Sequence, residues 1–480
     1  MKVYTGENVR TVGLTGHGDT GKTSLVAAFL YTAGLTDRLG RVDDGQSVTD
    51  FDEEETTRKV SIWSALAHTE WSSPAGKDKV KINFIDTPGY NLFINDTKSA
   101  LVAADSTLVL VDAVSGPEVV TEKVWDFAVE NELPRVFVIN KMDRDNADFE
   151  RTVTAVQERF GRAIVPVALP LGEEKNFRGL IDLVGMKAWS YDRDGNGKAK
   201  IGDIPAELAE AAKKAHEALV EMVAEGDDAL MEEFFEKGTL PEEDLRKGLR
   251  EVILAKKMYP ALPASGLHNI GSDYLLHFIA DYLPNGLERG EVTGAKEVGG
   301  KGDSIKRKVS DSEPLSVFVW KTIADPYAGR ITYFKVMSGV LKNDATILNL
   351  TRGTSERFQH LSVAQGKTHT QVAELHAGDI GVVGKLKETL TGDTLGDKAA
   401  PIHYAAVKLP EPLISFAVEP KTRQDEEKMS TAMHKILEED PSLRYGRDDQ
   451  TREFLLSGSG QQHIEVVVSK LKKRYGVEVT

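Results

Sequence analysis

The stretch Gly16-His17-Gly18-Asp19-Thr20-Gly21-Lys22-Thr23 fits the phosphate-binding pattern G-x-x-x-x-G-K-[ST] at every fixed position. Glycines let such a loop curl so that its N–H groups converge on an anion, and the following helix points its positive end there. We expect Lys22 to reach the β- and γ-phosphates and the Thr23 hydroxyl to ligate Mg²⁺. Apolar flanks predict a strand over 11–15 and a helix over 24–30. The stretch therefore predicts a nucleotide-phosphate loop in an α/β fold.

A second motif ends the apolar run 82–85 with Asp86-Thr87-Pro88-Gly89. An aspartate at the carboxyl end of a strand can hold Mg²⁺ through water, and Gly89 can offer its N–H to a γ-phosphate. By itself, this segment is equally compatible with an ordinary turn that uses proline and glycine in their usual places.

A third motif, Asn140-Lys141-Met142-Asp143, follows the apolar run 136–139. The Asp143 carboxylate can accept two hydrogen bonds from the N1–H and N2–H₂ edge of guanine, which adenine does not present. Asn140 would bond the other edge of the ring, and the stem of Lys141 would lie along its face. Together the three motifs predict a guanine-nucleotide-binding domain.

These motifs resemble those of the translational GTPases, and within them the elongation factor G group. The resemblance extends to Arg144 and to Ala147-Asp148-Phe149, and Ser265-Gly266-Leu267 is similar to the family loop whose backbone contacts the guanine oxygen. Between Asp143 and Ser265 lie 121 residues, 144–264, where that group carries an inserted subdomain. Residues 169–183 resemble its opening and residues 217–228 its helices.

The resemblance implies a multidomain chain. We expect an α/β P-loop GTPase domain over 1–290 with an inserted α+β subdomain at about 160–260, and a glycine- and charge-rich linker or exposed excursion over 291–310. Short β-rich runs predict an antiparallel β-barrel over 311–405, where Asp325-Pro326-Tyr327-Ala328-Gly329-Arg330 resembles the barrel of the family.

A ferredoxin-like α+β domain is expected over 406–480. We predict strands at Ile414–Val418, Thr451–Leu456 and His463–Val468, and helices over 424–438 and from Ser469 onward. The basic run Lys470, Lys472, Lys473 and Arg474 is interpreted as a solvated helix face, with contact to ribosomal RNA as the alternative.

Two departures from the family bear on catalysis. The family has histidine after D-T-P-G, where it orients the attacking water, and this chain has Tyr90. A tyrosine hydroxyl can bond water but cannot act as a cation near neutral pH, so hydrolysis should be slow or depend on other groups. The alternative is that Tyr90 packs outward and matters little.

The other departure is in the first switch, 52–62, which aligns with the family pattern E-x-x-R-G-I-T-I. Ser61 falls where a threonine closes over Mg²⁺ and the γ-phosphate, and Lys59 replaces a glycine and should stiffen the loop. Five acids between Asp50 and Glu55 predict a segment that stays solvated and mobile until nucleotide and partner arrive. Asp19 matches a family acid thought to hold a monovalent cation, or else caps the following helix.

Composition bounds the setting. The chain has 480 residues, no cysteine and a net charge of −15, which argues against a general nucleic-acid coat and against DNA. No apolar run has membrane-spanning length, and the N-terminus lacks the apolar region of a signal peptide. We expect a cytoplasmic monomer whose partners are GTP or GDP and, by the resemblance, the ribosome.

The resulting hypothesis is a GTPase of the elongation factor G type, in which Mg²⁺ is held by Thr23, Ser61 and Asp86 and catalysis involves Tyr90, Gly89, Asp19 and Lys22. Alternatives are a ribosome-rescue, release or protection GTPase, and a GTP sensor with little hydrolysis. Since two further domains of the group have no counterpart here, we expect a piece of a longer factor, or else a natural short paralogue.

Overall fold

The computed structural model describes residues 2–74, 76, 78–325 and 329–480. The chain begins with alternating strands and helices that are typical of an α/β domain. Up to the insertion, these are β1 (Val9–Gly16), α1 (Lys22–Thr32), α2 (Glu53–Arg58), β2 (Ala65–Trp71), β3 (Val80–Asp86), α3 (Ile94–Leu101), β4 (Ser106–Asp112), α4 (Val119–Glu130), β5 (Arg135–Asn140), α5 (Phe149–Phe160) and β6 (Ile164–Pro166).

The inserted subdomain follows directly, and the chain then returns to the first sheet. The subdomain consists of β7 (Ala168–Leu171), β8 (Gly179–Asp182), β9 (Lys187–Ser190), β10 (Lys200–Gly202), α6 (Ala209–Ala224), α7 (Asp228–Lys237) and α8 (Glu242–Leu254). Its strands form an antiparallel sheet in the order β10-β9-β8-β7. The return elements are β11 (Tyr259–Pro263) and α9 (Ser272–Tyr282).

The main sheet has the order β2-β3-β1-β4-β5-β11-β6 and is parallel except for the edge strand β2. Strands β1, β3, β4 and β5 are buried along their whole length, as expected for a sheet covered by helices on both faces. Because they run in the same direction, their carboxyl ends meet at one edge, where ligands bind in open α/β sheets. These strands end at Gly16, Asp86, Asp112 and Asn140.

The segment predicted as a linker or exposed excursion is a mostly exposed β-hairpin, so the irregular linker is wrong and the exposed excursion agrees with the structure. Strands β12 (Glu291–Glu297) and β13 (Lys301–Lys308) pair antiparallel, with Glu291 opposite Lys308 and Glu297 opposite Lys301. Gly299 and Gly300 have φ of 76° and 75°, the left-handed conformation that a tight hairpin turn needs. The glycines and charges therefore encode a turn and cross-strand ion pairing instead of an irregular linker.

An antiparallel β domain follows, in agreement with the predicted fold. Its strands are β14 (Ser316–Asp325), β15 (Gly329–Ser338), β16 (Val340–Lys342), β17 (Thr346–Asn349), β18 (Thr354–Arg357), β19 (Ser362–Gln365), β20 (Thr368–Gln371), β21 (Glu374–His376), β22 (Ile380–Gly384) and β23 (Thr394–Gly396). The resemblance at 325–330 falls partly on residues 326–328, which lie outside the described residues.

Strand β14 shows how this domain is fixed to the first. Val317 and Val319 point into the core of the β domain, whereas the alternating Phe318 and Trp320 pack with Leu101 of the α/β domain. Side chains alternate between the two faces of a strand, so one strand serves both cores. Buried ion pairs cross the same interface and join Lys81 to Asp379, Lys335 to Asp105 and Lys321 to Asp96.

The last domain contains β24 (Ile414–Ala417), α10 (Arg423–Glu439), β25 (Arg444–Arg447), β26 (Phe454–Gly458) and α11 (Gln461–Tyr475). The sheet order is β24-β26-β25, and backbone bonds between Glu419 and Thr480 add the chain end beside β24. This order agrees with the predicted ferredoxin-like α+β fold.

The predicted strand at His463–Val468 is wrong, because these residues form the first half of α11. His463, Val467, Lys470 and Leu471 are buried on one face at helical spacing. The β-branched run favours a strand locally, but packing against α10 and β26 decides for the helix.

Candidate nucleotide-binding site

The loop between β1 and α1 has the backbone conformation that its glycines allow. Gly16 and Gly21 have φ of 140° and 88°, and a Cβ on Gly16 would lie 2.4 Å from the carbonyl oxygen of Leu110. Thr20 closes the loop, since its hydroxyl donates to the carbonyl of His17 at 2.9 Å. The loop residues from Gly16 to Thr23 therefore form a turn whose N–H groups precede a helix N-terminus, as the sequence predicted.

Lys22 lies inside this turn. Its Nζ donates to the carbonyl oxygens of Gly16 at 3.1 Å and His17 at 2.7 Å. Burial lowers the pKa of Lys22 to about 8, partly offset by the carboxylates of Asp86, Asp19 and Asp50. An anion bound in the loop would offer this ammonium a better partner than two neutral carbonyls.

The three predicted magnesium ligands lie together. The hydroxyl oxygens of Thr23 and Ser61 are 3.0 Å apart, and Asp86 ends the adjacent strand β3. Asp86 accepts a 2.6 Å hydrogen bond from the Thr49 hydroxyl at Oδ2, while its Oδ1 is buried with no hydrogen-bond partner in the described part of the chain. Hydroxyl and carboxylate oxygens are the ligands that Mg²⁺ prefers, so these residues fit the ion.

Asp50 belongs to the same cluster and was missed as a site residue from the sequence. It is 5% exposed, and its Oδ2 is also without a hydrogen-bond partner among the described residues. Burial, and then the nearby charge of Asp86, raises the pKa of Asp50 to about 7. Burial also raises the pKa of Asp86, and two neighbouring buried carboxylates with raised pKa are typical of a cation site. The sequence signal for Asp50 was its position in the acidic run, but that run was interpreted as solvated.

The described residues contain no group of three or more His, Cys, Asp or Glu side chains placed to hold a metal ion. The oxygen cluster formed by Thr23, Ser61, Asp50 and Asp86 holds two carboxylates and two hydroxyls.

The guanine motif lies beside the phosphate loop. Asn140 Nδ2 donates to the carbonyl of Thr20 at 2.7 Å, and its Oδ1 accepts from the N–H of Gly266 at 3.0 Å. Asn140 thus connects the phosphate loop to the 265–267 loop, on which Leu267 is 43% exposed. The Ser265 hydroxyl donates to Asp143 Oδ1 at 2.5 Å and holds that carboxylate in place.

Two further side chains support this pocket and were not predicted. Asp112, at the end of β4, forms a 3.2 Å ion pair with Lys141. This pair fixes the lysine side chain that would lie along the base. His268 Nε2 lies 3.4 Å from Asp143 Oδ2, and its Nδ1 lies 2.9 Å from Asp194 of the inserted subdomain. His268 immediately follows the 265–267 loop, and that position was its only signal in the sequence.

Gly89 and Tyr90 cover the phosphate loop from the side of β3. A Cβ on Gly89 would lie 2.2 Å from Lys22 Nζ and 2.8 Å from the Gly18 nitrogen, so only glycine allows this approach. The Tyr90 ring lies over Gly18, and its hydroxyl donates to Asp19 Oδ2 at 2.9 Å. Burial, together with the hydrogen bond to Asp19 and the charge of that carboxylate, raises the pKa of Tyr90 to about 12.

The acidic switch is not solvated throughout, so that part of the prediction is wrong for Asp50, Glu54 and Glu55, which are buried. Asp52 caps the N-terminus of α2, and Glu54 and Glu55 are buried, the first against α11 and the second against the backbone of Ile62 and Trp63. Lys59 has φ of 56°, the left-handed conformation that suits the glycine it replaces.

The basic run of α11 pairs with acids of other elements, and its interpretation as a solvated face is wrong for Lys470, which is buried, but not for Lys472 and Lys473, which are exposed. Lys470 pairs with Glu439, Lys473 with Glu53 and Glu54, and Arg474 with Asp52. Lys472 is exposed and pairs with Glu478.

This architecture defines a P-loop guanine-nucleotide-binding protein of several domains: a phosphate loop, a D-T-P-G strand end and an N-K-x-D strand end meet at one edge of a parallel sheet. Comparison with known proteins gives the family. The Elongation factor Tu GTP binding domain model matches residues 7–285, the Elongation factor G domain 2 model matches 314–398, and the Elongation Factor G domain III model matches 409–480.

The chain therefore belongs to the translational elongation-factor GTPases and is elongation factor G-like in its domain order. A crystal structure of a protein from Thermus thermophilus is similar at 32% sequence identity and a TM-score of 0.87. The similarity covers 99% of this chain and 67% of the Thermus protein, so the chain spans about two thirds of that relative's length. Among the described residues, no helix has the length and apolarity needed to cross a membrane.

Proposed function

We propose that this protein is a Mg²⁺-dependent GTPase that couples GTP binding and hydrolysis to rearrangement of its domains on the ribosome. The observation that carries the proposal is the meeting of the three motifs at one sheet edge, with Asn140 bonded both to the phosphate loop and to Gly266. GTP is favoured over ATP because only guanine presents two N–H donors to the Asp143 carboxylate.

The phosphate chain would lie in the loop from Gly16 to Thr23, where the Lys22 ammonium would pair with the β- and γ-phosphates. Thr23, Ser61, Asp86 and, through water, Asp50 would hold Mg²⁺, which when bound neutralises charge on the β- and γ-phosphates. Ser265, Gly266 and Leu267 would contact the base from the side opposite Lys141.

Hydrolysis depends on positioning, because phosphoryl transfer needs little covalent help from the protein. Gly89 brings its backbone against the phosphate loop, where its N–H can donate to the γ-phosphate. Tyr90 stands where the family has histidine, but its hydroxyl is committed to Asp19 at 2.9 Å. We infer that a water-positioning role for Tyr90 requires this bond to open, and that turnover without the ribosome is slow.

The domain interfaces support the coupling. The β domain is fixed to the α/β domain by buried ion pairs, whereas the third domain contacts the switch segment, residues 49–63, through ion pairs of α11 with Asp52, Glu53 and Glu54. Closure of the switch on GTP would therefore act mainly on the third domain. We infer a cytoplasmic monomer, with the ribosome as its large partner and no DNA or membrane partner.

One observation favours a second candidate, a GTP sensor that binds a partner but hardly hydrolyses. The Tyr90–Asp19 hydrogen bond occupies the side chain that stands in place of the family histidine, and neither partner carries a positive charge. A rescue, release or protection role on the ribosome uses the same domains and differs in the step that it serves.

One experiment separates the GTPase from the sensor: binding and turnover of GTP and of ATP, both measured with and without ribosomes. Stimulation of GTP turnover by ribosomes is the expected result and excludes the sensor. Equal binding of GTP and ATP would overturn the whole proposal.

A further inference from the structure

Ser61 is tied on both sides to elements outside the nucleotide loop. On its carboxyl side, Glu55 Oε1 accepts hydrogen bonds from the backbone N–H of Ile62 and Trp63, both at 3.0 Å. On its amino side, α2 runs from Glu53 to Arg58. The position of the Ser61 hydroxyl therefore depends on where α2 lies.

Helix α2 has too few residues to be stable alone. An isolated helix needs about 12–15 residues to be even marginal in water, and α2 has 6. Its capping box and the Arg58–Glu54 pair at 3.1 Å are local supports. The remaining support must come from whatever α2 packs against.

Three side chains of α11 supply that support, and we name Ser469, Lys473 and Arg474 the α11 clamp. Ser469 donates to Glu54 Oε1 at 2.5 Å, and Lys473 donates to the same oxygen at 2.8 Å. Arg474 pairs with Asp52, the residue that caps α2. Glu54 is 5% exposed, so its carboxylate is shielded from water and depends on these donors to stabilise its charge.

The clamp is itself held by the third domain. Glu439 of α10 pairs with Lys470 and lies 3.7 Å from Arg474, and the Lys470 ammonium lies 4.7 Å from the centroid of the Trp63 ring. A chain of contacts thus runs from α10 through α11 to α2 and on to the residues that flank Ser61.

We propose that the α11 clamp is a positioning element for the nucleotide site: by fixing α2, it holds Ser61 against Thr23 and so raises the affinity for the γ-phosphate state over the diphosphate state. The inference rests on the proposed function, because it assigns the third domain a part in selecting GTP over GDP. A separate consequence needs no nucleotide, namely that the clamp protects the switch segment from opening.

The test uses the full chain and the double variant Lys473→Ala, Arg474→Ala, with Lys472→Ala as the matched control on the same helix. Trypsin cleavage after Arg58 and Lys59 measures opening of the switch without nucleotide. Loss of the ion pairs that Lys473 and Arg474 make with Asp52, Glu53 and Glu54 should speed this cleavage about ten-fold, and Lys472→Ala should leave it at the wild-type rate.

Fluorescence titration then measures affinity for a non-hydrolysable GTP analogue and for GDP. The double variant should bind the analogue about ten-fold more weakly and GDP as the wild type does, since only the γ-phosphate state needs a closed switch. The conservative pair Lys473→Arg, Arg474→Lys should restore both readouts, which a merely structural defect would not allow.

Unchanged cleavage and unchanged affinities in the double variant would overturn the inference, as would equal effects in Lys472→Ala. If the double variant does not fold, the single variant Lys473→Ala decides: cleavage faster than in Lys472→Ala supports the clamp, and an equal rate overturns it. If the wild type binds no GTP, the proposed function is wrong. The cleavage rates would still test whether the α11 clamp keeps the switch segment closed.

Discussion

The hydroxyl of Tyr90 donates a 2.9 Å hydrogen bond to Oδ2 of Asp19, across the face of the phosphate loop. Tyr90 follows the strand end at Asp86-Thr87-Pro88-Gly89, and Asp19 lies in the loop at a φ of 61°. The bond joins the phosphate loop to the segment after β3, and we propose that both contact the γ-phosphate. It therefore sets how easily Tyr90 can turn toward an attacking water.

Tyr90→His should raise ribosome-stimulated GTP turnover at least about ten-fold, because an imidazole can position water and carry a positive charge near neutral pH. Tyr90→Phe keeps the ring over Gly18 but removes the bond to Asp19, and it should not raise turnover. Single-turnover hydrolysis with ribosomes in excess measures the chemical step directly. A histidine variant no faster than the wild type would show that Tyr90 does not limit hydrolysis.

Asp143→Asn should weaken GTP binding by about a hundred-fold or more, since the base would lose two charge-assisted hydrogen bonds inside a buried pocket. Asp145→Asn is the matched control, because Asp145 is exposed and pairs with Lys175 on the surface. Equilibrium titration with fluorescent GDP measures both variants. Retained affinity in Asp143→Asn would contradict the assignment of guanine recognition to N-K-x-D.

Asp50→Asn should raise the Mg²⁺ concentration needed for nucleotide binding about ten-fold, as expected when a group that holds metal-bound water is removed. The nearby exposed residue Asp43 supplies the control, and Asp43→Asn should leave the Mg²⁺ titration unchanged. The readout is GDP affinity measured over a series of Mg²⁺ concentrations. If both variants titrate as the wild type does, Asp50 takes no part in the metal site.

Lys335→Met should destabilise the junction of the first two domains by about 3–5 kcal/mol, because it leaves the buried Asp105 without its cation. The Lys335 and Asp105 side chains are 2% and 1% exposed, whereas Lys306 is 70% exposed and serves as the control in Lys306→Met. Urea unfolding followed by tryptophan fluorescence measures the effect. The double variant Lys335→Met, Asp105→Leu should recover most of the loss, and equal midpoints for all variants would contradict the prediction.

His277 should make stability depend on pH between about 4 and 6.5. Burial lowers the pKa of His277 to about 4, below the value of about 6.5 in an unfolded chain. Between these values the unfolded chain binds the proton and the folded chain does not, so stability falls as the pH is lowered from 6.5 toward 4. Protonation would also remove the acceptor for the 3.1 Å bond from Trp71 Nε1.

The measurement for His277 is the free energy of unfolding against pH. His277→Gln should give a flatter curve in this range than the wild type, while His434→Gln, at a side chain 79% exposed, should leave the slope unchanged. Parallel curves for wild type and His277→Gln would show that the histidine is accessible to protons in the folded state.

The loops that bind nucleotide could be predicted because each is encoded locally. Gly16 and Gly21 adopt positive φ, and Asp86 and Asn140 end buried parallel strands, so residue type and strand position suffice to place them. The errors arose where local pattern and tertiary context disagree. The β-branched run in α11 and the charged hairpin over 291–308 were misassigned for this reason.

The sequence by itself determined the class of protein. Each of the three motifs is a contiguous stretch, and their order along the chain specifies phosphate and guanine recognition. Only the tertiary structure decided how the site is controlled: Tyr90 is bonded to Asp19, Asp50 lies beside Asp86, and Ser469 meets Glu54 across 415 residues of chain. The physical reason is that a buried carboxylate is stabilised by any donor or cation that tertiary packing places beside it. No local pattern encodes a partner so distant in sequence.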